Sequence, residues 1–355
     1  MVAAAVALAC LVLATVACLG YLVPTLASLR RRRESPREPT HAFTILIPAH
    51  NEELSLPATL RSLAVLDYPP ELVRVCVVAD NCTDGTARVA FEAGAKCLAR
   101  HDVANRGKGH ALAFGLDRVL RDATGVVLIL DADCELTPGA LRALDLTFAA
   151  GAEAAQTVVR SRNADDGSAG FVAAVGAAFD AGTAAGWDAL GFALPLRGTG
   201  MAFRRDLLER IPWDAFGAVE DAEYGVRLKH AGVRVRYCAG AEVACEAPPS
   251  VSELCQQRRR WRGAGLRASK PLVLAHLTLT VGVSVACGFR LWPVALVVAF
   301  ALLYLRAMCA VGITRKRFGL LLGSPVVVSR LGWVTLAGLV RRGASWDRTS
   351  RARRA

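Results

Sequence analysis

The sequence predicts an α/β domain built around a parallel sheet, with membrane segments at both ends. The first observation is a set of short β-branched runs, Phe43–Pro48, Val73–Ala79 and Val126–Leu130, each followed by polar residues and then a helical pattern. Alternation of that kind marks βαβ units. The second is composition: 54% of residues are hydrophobic and 21% charged. That exceeds the apolar share of ordinary soluble domains, and the excess lies in long uncharged runs.

Residues Val2–Leu29 carry no charge, which is longer than the ~20 apolar residues that cross a hydrocarbon core. Arg30, Arg31, Arg32 and Arg33 follow directly. A secretory signal places its charge before a shorter apolar core and ends in a small-x-small cleavage site; here the charge comes after, so residues 1–29 are expected to be an uncleaved anchor. The basic cluster puts its carboxyl end in the cytoplasm. Residues 30–42 form a basic, proline-containing linker, and 43–262 the globular domain, expected on the cytoplasmic face. Within it, Asp84 or Thr83 is placed to cap a helix over Gly85–Ala95, and Thr137-Pro138 sets proline in a first helical turn. Residues 263–313 hold an interfacial stretch and two further apolar runs, Pro271–Phe289 and Leu291–Ile313, split by Arg290. Arg258–Arg262 and Arg315–Arg317 bound them, as in a hairpin that leaves the cytoplasm and returns. In 314–355 the run 320–340 is interrupted by Pro325, Ser329 and Arg330 and followed by Arg341 and Arg342. It reads as an interfacial or re-entrant helix before a basic cytoplasmic tail. The whole pattern predicts a multi-pass protein of the cell membrane.

A net charge of +12 raises the possibility of a nucleic-acid partner, but the clusters lie beside apolar runs and aromatic residues are only 6%. Juxtamembrane arginines meeting anionic lipid explain the charge, and no base-stacking platform is present. The eleven cysteines show no C-x-x-C pair, and Cys10, Cys18, Cys287 and Cys309 sit in apolar runs. They are expected to be free thiols in a reducing compartment, neither a disulfide framework nor a zinc site. The sequence says nothing of oligomeric state.

Polar residues gather at the carboxyl ends of the expected strands, where open α/β sheets bind ligands. Asp131-Ala-Asp133 directly follows a strand, and two carboxylates one residue apart can address a hard divalent cation. Alone, such a string is as often a turn or a helix cap. Its company is Pro48-Ala-His-Asn-Glu-Glu53, Asp80-Asn-Cys-Thr-Asp-Gly-Thr86, Asn105-Arg-Gly-Lys-Gly109, Val219-Glu-Asp221 and Gln257-Arg-Arg-Arg-Trp261, in this order.

With that ordered set, the chain resembles the family 2 glycosyltransferases over roughly Phe43–Arg262. The resemblance is to the membrane-embedded branch that includes cellulose, hyaluronan and chitin synthases and ceramide glucosyltransferases. It implies a GT-A type, Rossmann-like nucleotide-sugar domain. It assigns Pro48, Ala49, Asn51 and Glu52 to the edge of the nucleotide pocket and Asp80 to the uracil. Asp131 goes to the nucleotide side and Asp133 to Mg²⁺ or Mn²⁺ on the diphosphate; both are candidate metal residues. Arg106 and Lys108 add positive charge near that diphosphate. Asp221 becomes the general base, at a helix start that favours its ionised form. Glu220 beside it, Gly198-Thr199-Gly200, Gln257, Arg260 and Trp261 fall on the acceptor and diphosphate side. Trp346, Thr349 and Arg351 have the spacing of a gating element found in some polysaccharide synthases.

The implied function is transfer of a sugar, with inversion, from a nucleotide sugar, with UDP the expected nucleotide, to a lipid-linked or saccharide acceptor. Such transfers build exopolysaccharide, envelope glycan or glycolipid. A processive polysaccharide synthase is the alternative, for which three spans are few. A nucleotidyltransferase would carry a glycine-rich, lysine-bearing loop after the first strand, which Pro48-Ala-His-Asn-Glu52 is not. An inactive membrane scaffold would have little reason to keep the acids together.

Overall fold

The computed structural model describes residues 2–30, 37–122, 125–260 and 291–340. Trp261, the run Pro271–Phe289 and the Trp346, Thr349 and Arg351 tail lie outside them. Two compact units emerge: Arg32–Arg160 with Gly191–Glu246, and Met1–Arg31 with Ser161–Leu190 and Ala247–Ala355.

The first unit is a sheet of eight strands in the order β3-β2-β1-β4-β7-β6-β8-β5. Its strands are β1 Phe43–Ala49, β2 Val73–Asp80, β3 Lys96–Arg100, β4 Val126–Ile129, β5 Glu135–Leu136, β6 Ala154–Ser161, β7 Met201–Arg204 and β8 Val235–Cys245. β3, β2, β1 and β4 are mutually parallel, whereas β7 runs antiparallel to both β4 and β6. The three strands read from β-branched content are therefore β1, β2 and β4.

Strand alternation in β1 sorts the core. Phe43, Ile45 and Ile47 are buried with Leu56, Leu60 and Leu63 of helix α2 (Leu56–Ala64) and with Leu141, Leu144 and Phe148 of α5 (Ala140–Ala149). Leu46 points the other way, to where Gly115 of α4 (Lys108–Asp122) approaches the sheet. The period of two thus gives each face its own helical layer. Helix α3 is shorter than expected, Thr86–Glu92, and its N-cap is Gly85 rather than Asp84 or Thr83; Asp84, one residue earlier, accepts from the backbone N–H of Thr86 through Oδ1 at 3.0 Å. α7 (Arg205–Arg210) and α8 (Glu220–His230) complete this unit.

One sequence expectation is overturned in it. Cys134 and Cys245 form a disulfide, with Cα atoms 4.6 Å apart. β5 and β8 are antiparallel with Glu135 opposite Ala244, so the next pair outward in the same register is Cys134 and Cys245. The two thiols are 111 residues apart in sequence, and only the strand pairing reveals them as neighbours.

The second unit is helical: α1 (Val2–Ala27), a 3-10 turn at Ser28–Arg30, α6 (Ser168–Ala189), α9 (Val251–Arg260), α10 (Leu291–Val311) and α11 (Arg315–Val340). α11 is one continuous helix with Pro325 inside it. α1 and α10 run side by side in the same sense. Trp292 Nε1 donates to Thr15 Oγ1 at 2.9 Å, Cys18 Sγ to the Leu296 carbonyl at 3.6 Å, and the rings of Tyr21 and Phe300 lie 6.0 Å apart. The sequence reading did not single out α6, which packs here with α1 and α10.

Candidate active site

Strand order alone brings the motifs together. β1 and β2 are parallel with Ala49 opposite Ala79, so the loops after them emerge side by side. They interlock: Asn51 Oδ1 accepts from the Thr83 N–H at 2.8 Å, the Glu52 N–H donates to Thr86 Oγ1 at 2.8 Å, and Glu53 Oε2 accepts from the Gly85 N–H at 2.6 Å. Asn51 and Asn81 take left-handed backbone, φ 56° and 50°, which asparagine tolerates. Pro48 and Ala49 close β1. The Glu52 carboxylate accepts from Ser55 Oγ at 2.5 Å, while its backbone carbonyl accepts from the Leu56 N–H at 2.9 Å where α2 begins.

Asp80 ends β2 and is buried. Its Oδ1 accepts from Arg100 Nη1 at 2.6 Å and from Asn81 Nδ2 at 3.0 Å. Arg100, also buried, reaches on to Asp102 at 2.9 Å. Sequence reasoning missed Arg100. Its signal was an arginine at the end of a weakly patterned strand, and β3 places it directly opposite Asp80.

At the other strand junction, β4 ends where antiparallel β7 begins, with Ile129 opposite Met201. The residues after β4 must therefore meet those before β7. Thr199 Oγ1 accepts from the Asp131 N–H at 3.0 Å, and the Gly200 N–H donates to the Ile129 carbonyl at 2.8 Å. Gly198 and Gly200 have φ of 80° and 65°, backbone that a side chain strains. Buried Gln156, unnoticed in the sequence, pins this turn: its Nε2 donates to the Thr199 carbonyl at 2.9 Å and its Oε1 accepts from the Arg197 N–H at 2.9 Å.

Lys108, the first residue of α4, sits at the centre. Its Nζ donates to Asp131 Oδ1 at 2.5 Å and to the Gly198 carbonyl at 2.7 Å, and lies 3.6 Å from Glu220 Oε1. Burial alone would lower its pKa, but Asp131, Glu220 and Asp221 outweigh it and hold the ammonium well above the ordinary lysine value. Burial pushes the Glu220 carboxyl up; Lys108 opposes that, and Asp221 adds to it. Asp221 is nearly buried in the first turn of α8. A Cβ on Gly198 would lie 3.7 Å from Lys108 Nζ and 3.8 Å from Asp221 Oδ2, so that glycine leaves open the space between them. Arg106 is exposed in the loop before α4. Gln257 and Arg260 lie on α9, in the helical unit.

Asp131, Asp133 and Cys134 each bring a ligand atom within 4.8 Å of the others. Cys134 is bonded to Cys245, which leaves two carboxylates. Hard oxygen donors suit Mg²⁺ or Mn²⁺ and not a thiophilic metal, so the residues present fit the expected cation.

A mixed eight-stranded sheet whose D-x-D turn after β4 meets, through Lys108, a helix that begins with acids is a GT-A fold. Residues 39–264 match the model of the family described as glycosyltransferase like family 2, and the chain belongs to that family. It is 28% identical to the probable glycosyltransferase YdaM of Bacillus subtilis over 229 residues, 61% of this chain and 54% of that protein. It is 36% identical over 91 residues, 25% of this chain and 12% of the other, to the cellulose synthase 1 catalytic subunit [UDP-forming] of Komagataeibacter xylinus. The chain thus spans about half the length of the first of these curated relatives and far less of the second. Among solved structures, mannosyltransferase PcManGT from Pyrobaculum calidifontis, in complex with GDP-Man and Mn²⁺, aligns with TM-score 0.58 and 20% identity over 94% of this chain and 98% of that one. That likeness is one of fold.

Proposed function

We propose that the protein is an inverting, membrane-bound glycosyltransferase that moves a sugar from a nucleotide sugar, UDP-linked by preference, to a lipid-linked or saccharide hydroxyl. The observation that carries this is the convergence on Lys108 of donor-side Asp131 and acceptor-side Glu220 and Asp221 around an open glycine. Sugar transfer needs that arrangement: a place for a diphosphate, a place for a hydroxyl, and a base between them.

In this reading the nucleotide lies along the interlocked β1 and β2 loops, with the Asp80–Arg100 pair beneath its base. Asp131 and Asp133 would hold Mg²⁺ or Mn²⁺, which supplies positive charge against the departing diphosphate. Lys108 contributes a second positive charge and keeps Asp131 oriented. Asp221 takes the proton of the acceptor hydroxyl, whose oxygen attacks the anomeric carbon from the face opposite the leaving group, so an α-linked donor gives a β-linkage. Gly198 keeps the approach clear. Gln257, Arg260 and Trp261 are assigned to the acceptor and diphosphate side on family resemblance. α1, α10 and the run Pro271–Phe289 serve as membrane spans with cytoplasmic basic flanks, and this favours an acceptor presented at the inner leaflet.

The test is nucleotide release and product formation by purified protein with UDP-glucose, UDP-galactose, UDP-N-acetylglucosamine and GDP-mannose, each with Mn²⁺ and a membrane lipid extract. At least one donor should turn over. Asp133→Asn and Asp221→Asn should each lower turnover by ~10²-fold or more while remaining membrane-inserted; full activity of either variant removes its assigned role. Product length separates single transfer from polymer synthesis.

A further inference from the structure

Helix α6 is an element that the catalytic reading leaves unused. Its 22 residues, Ser168–Ala189, have the length and composition of a membrane span, as do Leu8–Ala27 of α1 and Leu291–Val311. A count by apolarity would make it a crossing, but the sheet forbids that. β6 ends at Ser161 before this segment, β7 begins at Met201 after it, and the two are antiparallel neighbours with Gln156 opposite Met201. A single crossing would put hydrogen-bonded strands on opposite sides of a bilayer.

Packing inside the helical unit agrees. α1 and α10 are parallel, and basic residues follow both: Arg30–Arg33 after one, Arg315, Lys316 and Arg317 after the other. Their carboxyl ends therefore face one side, the cytoplasm. α6 meets those ends at both of its own. Phe171 lies beside Met308 and Gly312 at the end of α10, and Ser168 Oγ donates to the carbonyl of Leu320, in the first turns of α11, at 3.1 Å. Near its other end Gly186 lies so close to the carbonyl of Pro24 that a Cβ there would overlap it. Pro24 is in the last turn of α1. Between these points Phe179 packs on Tyr21 and Tyr304, with centroids 5.3 and 4.9 Å away. The close approach comes from a small residue at every fourth position, Gly170, Ala174, Ala178, Gly182 and Gly186, the pattern that lets helices touch in lipid.

We infer that α6 is a bilayer-lodged helix that does not cross: it lies against the cytoplasmic halves of α1 and α10 and meets inner-leaflet lipid with the half-exposed face of Ala177, Ala181 and Ala185. This rests on α1 and α10 being spans, as proposed above, and not on sugar transfer.

The test is labelling of full-length protein in intact cells with a membrane-impermeant maleimide, the modified positions being read by peptide mass so that native cysteines do not interfere. Leu291→Cys, at the exposed start of α10, should label in intact cells, and Leu190→Cys and Ile313→Cys only after permeabilisation. External labelling of Leu190→Cys would mean that α6 crosses, and protection of Leu291→Cys would mean that α10 does not start outside; either overturns the inference. A nitroxide at Ala177→Cys supplies a second readout: collision with oxygen should exceed collision with a water-soluble nickel chelate, and the reverse order overturns the lipid contact. Neither measurement depends on a donor, so this inference and the catalytic reading fail separately.

Discussion

Replacing Lys108 by methionine keeps the side chain's length and removes its charge. The lysine makes contacts of 2.5 Å to Asp131 and 3.6 Å to Glu220, with side chains that are 24%, 33% and 12% exposed. An exposed ion pair contributes about 0–1 kcal/mol. Breaking a fully buried one costs about 3–5 kcal/mol, because the partner stays charged and unpaired. A site about three-quarters buried, with a further hydrogen bond to the Gly198 carbonyl, falls between, at about 2–3 kcal/mol. For a unit of this size that is a fall in melting temperature of roughly 4–12 °C. The pH dependence follows from sign. An acid whose folded pKa is raised above its unfolded value penalises the fold at pH above both, and the penalty begins to fall as pH drops through the folded value and is gone below the unfolded one. Glu220 is already raised by burial, with Lys108 opposing, so the variant's Glu220 should rise further. The deficit should be largest near pH 7.5 and shrink towards about pH 5. Tryptophan-fluorescence melts in detergent with chelator present, wild type against Lys108→Met across that range, measure it. Equal melting temperatures at pH 7.5, or a deficit that widens on acidification, would refute the lysine as the neutralising centre of the site.

Two glycines should separate fold from function. Gly200→Ala puts a methyl against Thr157 Oγ1, and 3.0 Å from Val243, at φ 65°, and should cost about 2–4 kcal/mol; Gly198→Ala has room and should melt within about 2 kcal/mol of wild type while losing transfer, as thermal melts and turnover together would show. Asp145, nearly buried, accepts from the Thr40 and His41 N–H groups at 3.1 and 2.9 Å. Burial pushes its carboxyl up, but these bonds and the His41 ring prevail and hold it below the usual carboxylate value. Its contribution is therefore complete above about pH 4 and lost as pH falls through the folded value, so Asp145→Asn should show a shallower acid-induced loss of stability between about pH 5 and 3. Thiol titration of denatured protein should find two fewer thiols before reduction than after, and removing this 111-residue cross-link should cost roughly 4–5 kcal/mol; an unchanged thiol count would restore the all-thiol expectation.

What the sequence made legible was whatever depends on local pattern. β1, β2 and β4 appear as β-branched runs, and their polar ends appear as the motifs, because a strand that is buried on both faces must be apolar until it emerges. Pairings across the chain were hidden for the converse reason. Arg100 looks like an ordinary strand-end arginine until β3 is laid beside β2, and Gln156 looks like a strand polar residue until β6 is laid beside β7. The cysteine pair shows this most clearly: no spacing rule joins residues 111 apart, yet one step of antiparallel register does.

Lys108 and α6 show two ways in which composition misleads and topology corrects. A lysine in a glycine-flanked loop reads as a surface charge, or as a hand extended to phosphate. Its hydrogen bonds instead join groups that come from α4, the turn after β4 and the turn before β7, with Glu220 of α8 in reach. In the proposed reaction the same ammonium keeps Asp131 oriented and meets the negative charge that grows on the departing diphosphate, an interaction that is stronger in the transition state than in the ground state. Lys108→Met should therefore weaken turnover more than it weakens donor binding. Equal losses in both, measured by calorimetry with UDP and Mn²⁺ beside steady-state rates, would show that the lysine acts only as a phosphate contact.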